Sequence, residues 1–183
     1  MKLIIVRHGR TLSNEQGIIQ GHSNSQLSEL GKEQARKLAE RLKSEKIDLI
    51  FSSDLDRARH TAEEVARIIK ANVIPTRLLR ERNFGSIEGR KREEFEGQDF
   101  YNFPTCEKDD SIMKRAREFL DSIKKYKDKT ILIVGHGGIN IALIANLLEK
   151  DFKEVVEMGH HYNTGVTIFE SGKMTLFNCN KHL

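Results

Sequence analysis

Two stretches of this chain repeat one arrangement, an apolar run that ends in histidine and glycine. Leu3-Ile4-Ile5-Val6 leads into Arg7-His8-Gly9, and Ile131-Leu132-Ile133-Val134 leads into Gly135-His136-Gly137-Gly138. Each run reads as a buried strand, with glycine bounding it. The two histidines are thereby expected at the C-terminal ends of strands, where open α/β sheets bind their ligands. Glycine beside each histidine lets a ligand approach the backbone closely. A helix beginning near Gly138 would aim free N–H groups at an anion. A histidine next to a fixed cation such as Arg7 suits chemistry on a dianionic group such as phosphate.

The rest of the chain alternates in the same sense. A helix is predicted over residues 29–44, with Ser28 as N-cap and Leu30, Ala35, Leu38, Ala39 and Leu42 as its apolar stripe. A strand over 48–52 precedes a helix over 55–70, and a short strand lies near Val73-Ile74. A helix over 111–126 precedes the strand 130–134, which is followed by a buried helix over 139–148. Residues 163–169 and 174–178 read as two strands joined by a turn at Ser171-Gly172-Lys173. Strands alternating with helices imply a three-layer α/β/α sandwich on a mainly parallel sheet, with an antiparallel closing edge. The charged, aromatic stretch 85–110, with Phe95, Phe100, Tyr101 and Phe103, is expected to form a partly helical cap or lid.

At 183 residues, with 38% hydrophobic and 32% charged side chains, the chain fits a single globular domain, residues 1–183. Lys plus Arg number 31 against 27 Asp plus Glu, a net charge of +4 that is compatible with an anionic substrate. The basic residues are dispersed, and Arg90-Lys91-Arg92 is followed at once by Glu93-Glu94, which argues against nucleic acid as a partner. Cys106 and Cys179 stand far apart and outside any metal-ligand pattern. No apolar stretch approaches a membrane span and no signal peptide is recognisable, so no membrane partner and a cytoplasmic location are expected.

Two further stretches hold candidates for chemistry. Ser53-Asp54-Leu55-Asp56-Arg57 runs from a strand end into a helix and places Arg57 in the first turn. An arginine there opposes the helix macrodipole, a cost of a few tenths to about 1 kcal/mol, which favours a specific role. The loop Arg80-Glu81-Arg82-Asn83-Phe84-Gly85-Ser86-Ile87-Glu88-Gly89 offers carboxylates for general acid work. By spacing alone Glu81, Glu88, Glu93 and Glu94 are equal candidates. A dinucleotide loop at Gly135-His136-Gly137 fails because position 140 is Asn and no acidic residue ends a following strand.

Taken together, Arg7-His8-Gly9-x-Thr11-x-x-Asn14, Gln20-Gly21, Leu27-Ser28-x-x-Gly31-x-x-Gln34-Ala35, Ser53-x-Leu55-x-Arg57-Ala58-x-x-Thr61-Ala62, Glu81-x-x-Phe84-Gly85-x-x-Glu88-Gly89, Gly135-His136-Gly137-Gly138 and Asn180-x-His182-Leu183 resemble the histidine phosphatase superfamily, the phosphoglycerate-mutase-like proteins. The resemblance covers nearly the whole chain. It implies that His8 is the nucleophile that becomes phosphohistidine, and that Arg7, Arg57 and His136 hold the phosphoryl oxygens. It makes Glu81 the proton donor and acceptor, Asn14 and the Gly137 N–H further phosphate contacts, and Gln20 and Gly21 a loop facing the substrate. The partner implied is a small phosphorylated metabolite, with no cofactor or metal, and dimers are frequent among similar proteins, so a homodimer is an expectation. His22 and His60 match no catalytic position, and His182 matches a structural chain ending. His160 and His161 read as a surface pair, with contact to the site as the alternative. Arg10 and Arg82 flank functional residues and are candidates for substrate contact.

The short separation of Glu81 from His136 resembles the compact phosphatases of that superfamily, although their Gly-Glu-Ser element is replaced by Glu107-Lys108-Asp109-Asp110-Ser111. Glu81-Arg82-Asn83-Phe84-Gly85 is also similar to sugar-bisphosphatase and mutase members, which makes a mutase the alternative. A catalytically dead binding domain would be expected to have lost His8, Arg57, Glu81 or His136. A metal-dependent hydrolase would be expected to place its histidines in a recognisable ligand pattern, which His8 and His136 lack. The resemblance therefore implies a metal-independent phosphatase acting on small phosphomonoesters.

Overall fold

The computed structural model describes residues 1–98, 103–159 and 161–183. Its six strands are β1 (Lys2–Arg7), β2 (Leu49–Ser53), β3 (Val73–Thr76), β4 (Thr130–Gly135), β5 (Val166–Glu170) and β6 (Lys173–Cys179). Its helices are a single turn α1 (Leu12–Glu15), then α2 (Glu29–Leu42), α3 (Asp56–Ile69), α4 (Asp109–Ile123), α5 (Gly137–Leu148) and α6 (Phe152–Glu157). One sheet runs in the order β3-β2-β4-β1-β5-β6. β3, β2, β4 and β1 pair in parallel, and β5 and β6 close the edge antiparallel.

The apolar runs are buried on both sides, and the strand's alternation divides each of them between two cores. Ile4 and Val6, with Ile50, Leu132 and Val134, pack on α2 and α3 through Leu38, Leu42, Ala62 and Val65. Leu3 and Ile5, with Phe51, Ile131 and Ile133, pack on α4 and α5 through Ile112, Phe119, Ile139 and Leu143. Each such aliphatic side chain, fully buried, contributes about 1.5–3 kcal/mol relative to exposure. The chain leaves β1 for the α2 face and leaves β4 for the α5 face. The ends of these two adjacent strands therefore form a topological switch point.

Most predicted elements match. Ser28 caps α2 by accepting from Gly31 N–H. The predicted stripe differs at Leu30, which is 50% exposed, whereas Gly31 is buried. Positions 31, 35, 38, 39 and 42 keep the helical period, and Leu30 lies one residue off it. Gly31 must be small: a β-carbon on Gly9 would stand 2.6 Å from Gly31 O, and one on Gly31 would fall on Arg10 O. The helix thus presses its first turn onto the loop that carries His8. α6 was not anticipated, yet Asp151 and Glu154 form a capping box at its start. The β5–β6 turn places Ser171 and Gly172 at positive φ, 50° and 79°, as two-residue hairpins require.

In the stretch 85–110, single 3-10 turns form at Gly85–Ile87 and Arg92–Phe95, consistent with a partly helical segment. Phe84, Ile87, Phe95 and Cys106 enclose a small core with Ile19, and Phe103 packs against it. Of the predicted cap aromatics, Phe100 and Tyr101 lie outside the described residues, as does His160. Among the described residues no helix is long and apolar enough to cross a membrane.

Candidate active site

Arg7 and Gly135 are paired in register at the ends of β1 and β4, so the following residues, His8 and His136, leave the sheet side by side. Their ring centroids lie 5.0 Å apart with planes inclined at 60°. His8 Nδ1 is 2.7 Å from the carbonyl oxygen of Gly9. A carbonyl can only accept, so the proton sits on Nδ1 and Nε2 keeps its lone pair. In His136 the assignment is reversed. Arg57 Nε donates to His136 Nδ1 at 3.1 Å, and arginine has no acceptor. The neutral ring therefore carries its proton on Nε2, which is buried and has no partner among the described residues.

Both imidazoles are held neutral. Burial pushes the His8 pKa well below 6.5, and the Arg57 and Arg7 cations push it further. Burial likewise dominates at His136, reinforced by Arg57, His8 and Arg7. Arg57 itself is 1% exposed. Its Nη1 donates to Ser23 O at 2.8 Å and its Nη2 to Gly21 O at 2.7 Å. Burial brings its pKa down to about 10, with Glu81 and Glu88 opposing that shift, so it stays cationic at neutral pH. Arg7 anchors through Nη1 to His161 O at 2.6 Å.

Glu81 arrives from the opposite side. Its Oε1 accepts from Gly138 N at 2.9 Å and from Arg82 N at 2.8 Å, which seats the carboxylate on the first turn of α5. That helix end favours a negative group. A β-carbon on Gly138 would come within 2.7 Å of Glu81 Oε1, so a side chain there would displace the carboxylate. The expected N–H donors at this helix start are therefore already shared with the acid. The Gly137 N–H belongs to the same unsatisfied helix end.

The four carboxylates that spacing could not separate are separated by position. Glu93 and Glu94 lie on the surface paired with Lys91 and Arg90. Glu88 accepts three backbone N–H bonds, from His22, Ser23 and Phe84, and is turned away from proton transfer. Glu81 is left beside His136 and Gly138.

The structure thus gathers His8, Arg57, His136, Glu81 and Gly137, with Arg7 adjoining. Gly21 adjoins through its carbonyl rather than an N–H. Asn14 and Gln20 both bind Thr11: Asn14 Oδ1 accepts from Thr11 N, and Gln20 Oε1 accepts from the Thr11 hydroxyl. The NH2 end of Asn14 is its remaining donor. The Arg10 side chain is part-exposed, with its Nε 3.8 Å from Glu15 Oε1. Arg82 is placed elsewhere than a substrate contact: it is buried, donates to Glu107 O and Asp109, and lies over the Phe152 ring. His161 is buried rather than exposed, its ring edge-on to Phe177, while its carbonyl accepts from Arg7. His182 accepts from Arg41 at Nδ1 and contacts the Thr164 hydroxyl, a structural placement.

Several contributors had no assigned role in the sequence reading. Thr61 accepts from Gly9 N and donates to Arg57 O, so one hydroxyl ties the His8 loop to the first turn of α3. Its spacing four residues after Arg57 was a usable signal. Asn163 Nδ2 donates to His8 O across the sheet, and no local pattern announces it. His22 Nε2 donates to the Glu81 carbonyl at 2.8 Å.

A sequence model described as histidine phosphatase superfamily (branch 1) matches residues 3–177. A broad-specificity phosphatase of Saccharomyces cerevisiae is 34% identical over 93% of this chain and 79% of its own length. A metal-independent phosphoserine phosphatase of Arabidopsis thaliana is 34% identical over 81% of this chain and 69% of its own length. The crystal structure of a phosphoserine phosphatase from Entamoeba histolytica, in complex with 3-phosphoglyceric acid, superposes with a TM-score of 0.87 at 33% identity, covering 100% of this chain and 98% of that one.

Proposed function

This chain belongs to the histidine phosphatase superfamily and is a phosphoric monoester hydrolase, and from that premise we propose that it cleaves small phosphomonoesters through a phosphohistidine on His8, without a metal. The observation that carries the reading is the pair of opposed tautomers: a buried neutral His8 with a lone pair on Nε2, beside a His136 that presents Nε2–H.

In the first step His8 Nε2 gives its lone pair to phosphorus and the ester P–O bond breaks. The electron pair leaves on the alcohol oxygen, which takes a proton from Glu81. Arg7, the unused N–H groups of Arg57, His136 Nε2–H and the Gly137 N–H face the charge on the equatorial oxygens, the task metal ions perform in other phosphoryl transfers. In the second step a water gives its proton to Glu81 and attacks phosphorus. The N–P bond breaks, phosphate leaves and the His8 lone pair is restored. Residues 85–110 form the cap of a single domain in this reading. That segment is too short and too charged to shut water out, which favours hydrolysis over a mutase cycle.

Phosphoserine and 3-phosphoglycerate are the first substrates to supply, since the Entamoeba relative is a phosphoserine phosphatase crystallised with the latter. With 3-phosphoglycerate and a trace of the 2,3-bisphosphate, free phosphate should outrun 2-phosphoglycerate, and EDTA should leave the rate intact. Isomerisation outrunning phosphate release would establish the mutase. Loss of activity in EDTA, restored by a divalent ion, would remove the metal-independent mechanism.

A further inference from the structure

We propose that Glu88 is a positioning residue, whose carboxylate clamps residues 21–23 from behind so that this loop holds both Arg57 and Glu81 in place. The inference rests on the roles just given to Arg57, His136 and Glu81.

Glu88 makes three bonds to backbone N–H groups. Oε1 accepts from His22 N at 2.9 Å and from Phe84 N at 3.0 Å, and Oε2 accepts from Ser23 N at 3.2 Å. The His22 N–H held by Glu88 and the Gly21 carbonyl that accepts from Arg57 belong to one trans peptide and point opposite ways, and the Ser23 carbonyl, in the peptide after the Ser23 N–H that Glu88 also holds, accepts from Arg57 as well. Those carbonyls orient the buried guanidinium, and its Nε in turn sets the His136 tautomer. The same loop sends His22 Nε2–H to the backbone carbonyl of Glu81. Since Glu88 also binds Phe84 N, it joins the segment that carries Glu81 to the 21–23 loop that holds Arg57. The negative charge of Glu88 also supports the cationic form of Arg57.

Gly21 supplies independent evidence. It sits at φ +52°, and a β-carbon there would fall on the Glu88 carboxylate. Backbone and side chain are thus fitted to each other at contact distance. Within the pattern Gly21…Glu88, the glycine makes room for the clamp.

Glu88→Gln retains the shape but has a single acceptor oxygen for three N–H groups. Turnover of phosphoserine by the whole enzyme should fall about 10–100-fold, the usual consequence of losing a group that orients a reacting one. The decisive readout is separate from activity. In 15N NMR the Arg57 Nε–H and His136 Nε2–H signals should shift or broaden in Glu88→Gln, at temperatures well below the measured melting point. Gly21→Ala, which displaces the carboxylate instead of removing it, should produce the same changes, and the two substitutions should be less than additive in kcat. Glu93→Gln serves as a surface control, with activity and signals unchanged. Unaltered Arg57 and His136 signals in Glu88→Gln would overturn the proposal, whether or not activity fell. So would full additivity with Gly21→Ala. Failure of the underlying catalytic reading shows differently: the signals would move in Glu88→Gln while Arg57→Lys and Glu81→Gln left turnover intact.

Discussion

His8 and His136 occupy matching places, at the ends of neighbouring parallel strands and each followed by glycine, but their rings are prepared for opposite tasks. The His8 loop folds back so that Nδ1–H meets the Gly9 carbonyl, and this frees a nucleophilic Nε2. The His136 loop opens directly into α5, and its Nδ1 meets a guanidinium from α3, which makes Nε2 a donor. The second loop also receives Glu81 on its helix N-terminus, whereas the first has its Gly9 N–H occupied by Thr61. In the proposed mechanism one loop attacks phosphorus and the other handles charge and protons. What distinguishes them is the group each Nδ1 touches, since burial and nearby cations hold both imidazoles neutral.

That contrast can be broken most directly at the two histidines. His8→Asn should lower phosphate release by at least about 10⁴-fold, as expected for removing a nucleophile from a unit whose members act together. It should also abolish the acid-labile phosphoenzyme in a rapid quench at alkaline pH. His136→Ala should lose about 10²–10³-fold, the scale of one transition-state donor, and still form the adduct on the His8 peptide. Phosphate mapped to His136 in the parent or in His8→Asn would reverse the assignment.

Glu81→Gln sharpens the division of labour. Turnover of phosphoserine should slow by about 10²–10⁴-fold, the range of general acid–base catalysis. The loss should be smaller with p-nitrophenyl phosphate, whose leaving group needs little protonation. An equal, minor loss on both substrates would transfer the role to another carboxylate.

The smallest expected effect concerns what the two histidines share. Each has a folded-state pKa depressed from 6.5, so the unfolded chain binds more protons as pH falls below that value. Stability from this source is complete above pH 6.5 and is lost progressively toward the lowered folded-state pKa. Each histidine contributes a slope of at most about 1.4 kcal/mol per pH unit. Urea unfolding between pH 7 and 5 should show a shallower loss in His8→Asn than in the parent. An unchanged slope would mean that His8 is not buried neutral.

Much of this was legible in the chain. The apolar runs, the glycines after each histidine and the Ser28 cap act over a few residues, so strand ends and helix starts could be located. The contacts that separate Glu81 from Glu88 span long stretches of chain: Gly138 reaches back to Glu81, and Glu88 reaches back to His22. No local period encodes such pairs. Leu30 was misplaced because a helical stripe counts hydrophobic residues, and the buried position belonged to Gly31, chosen for close approach rather than apolar area. Arg82 beside Glu81 looked like a substrate contact by adjacency, but successive side chains in a loop diverge, and it turned into the protein toward Asp109 and Phe152.

The sequence by itself determined a layered α/β chain with two histidines delivered to the same end of one sheet, because burial of period-two strands and glycine punctuation are local properties. The tertiary structure alone decided which nitrogen of each ring carries the proton, which carboxylate meets them and which one braces the loop behind. For His136 and the carboxylates those choices depend on a donor or acceptor brought from far along the chain to within about 3 Å, where hydrogen-bond geometry becomes selective, while His8 meets the carbonyl of the next residue through the turn its loop takes. A buried imidazole with no local charge partner takes its tautomer from whatever group the fold places against it.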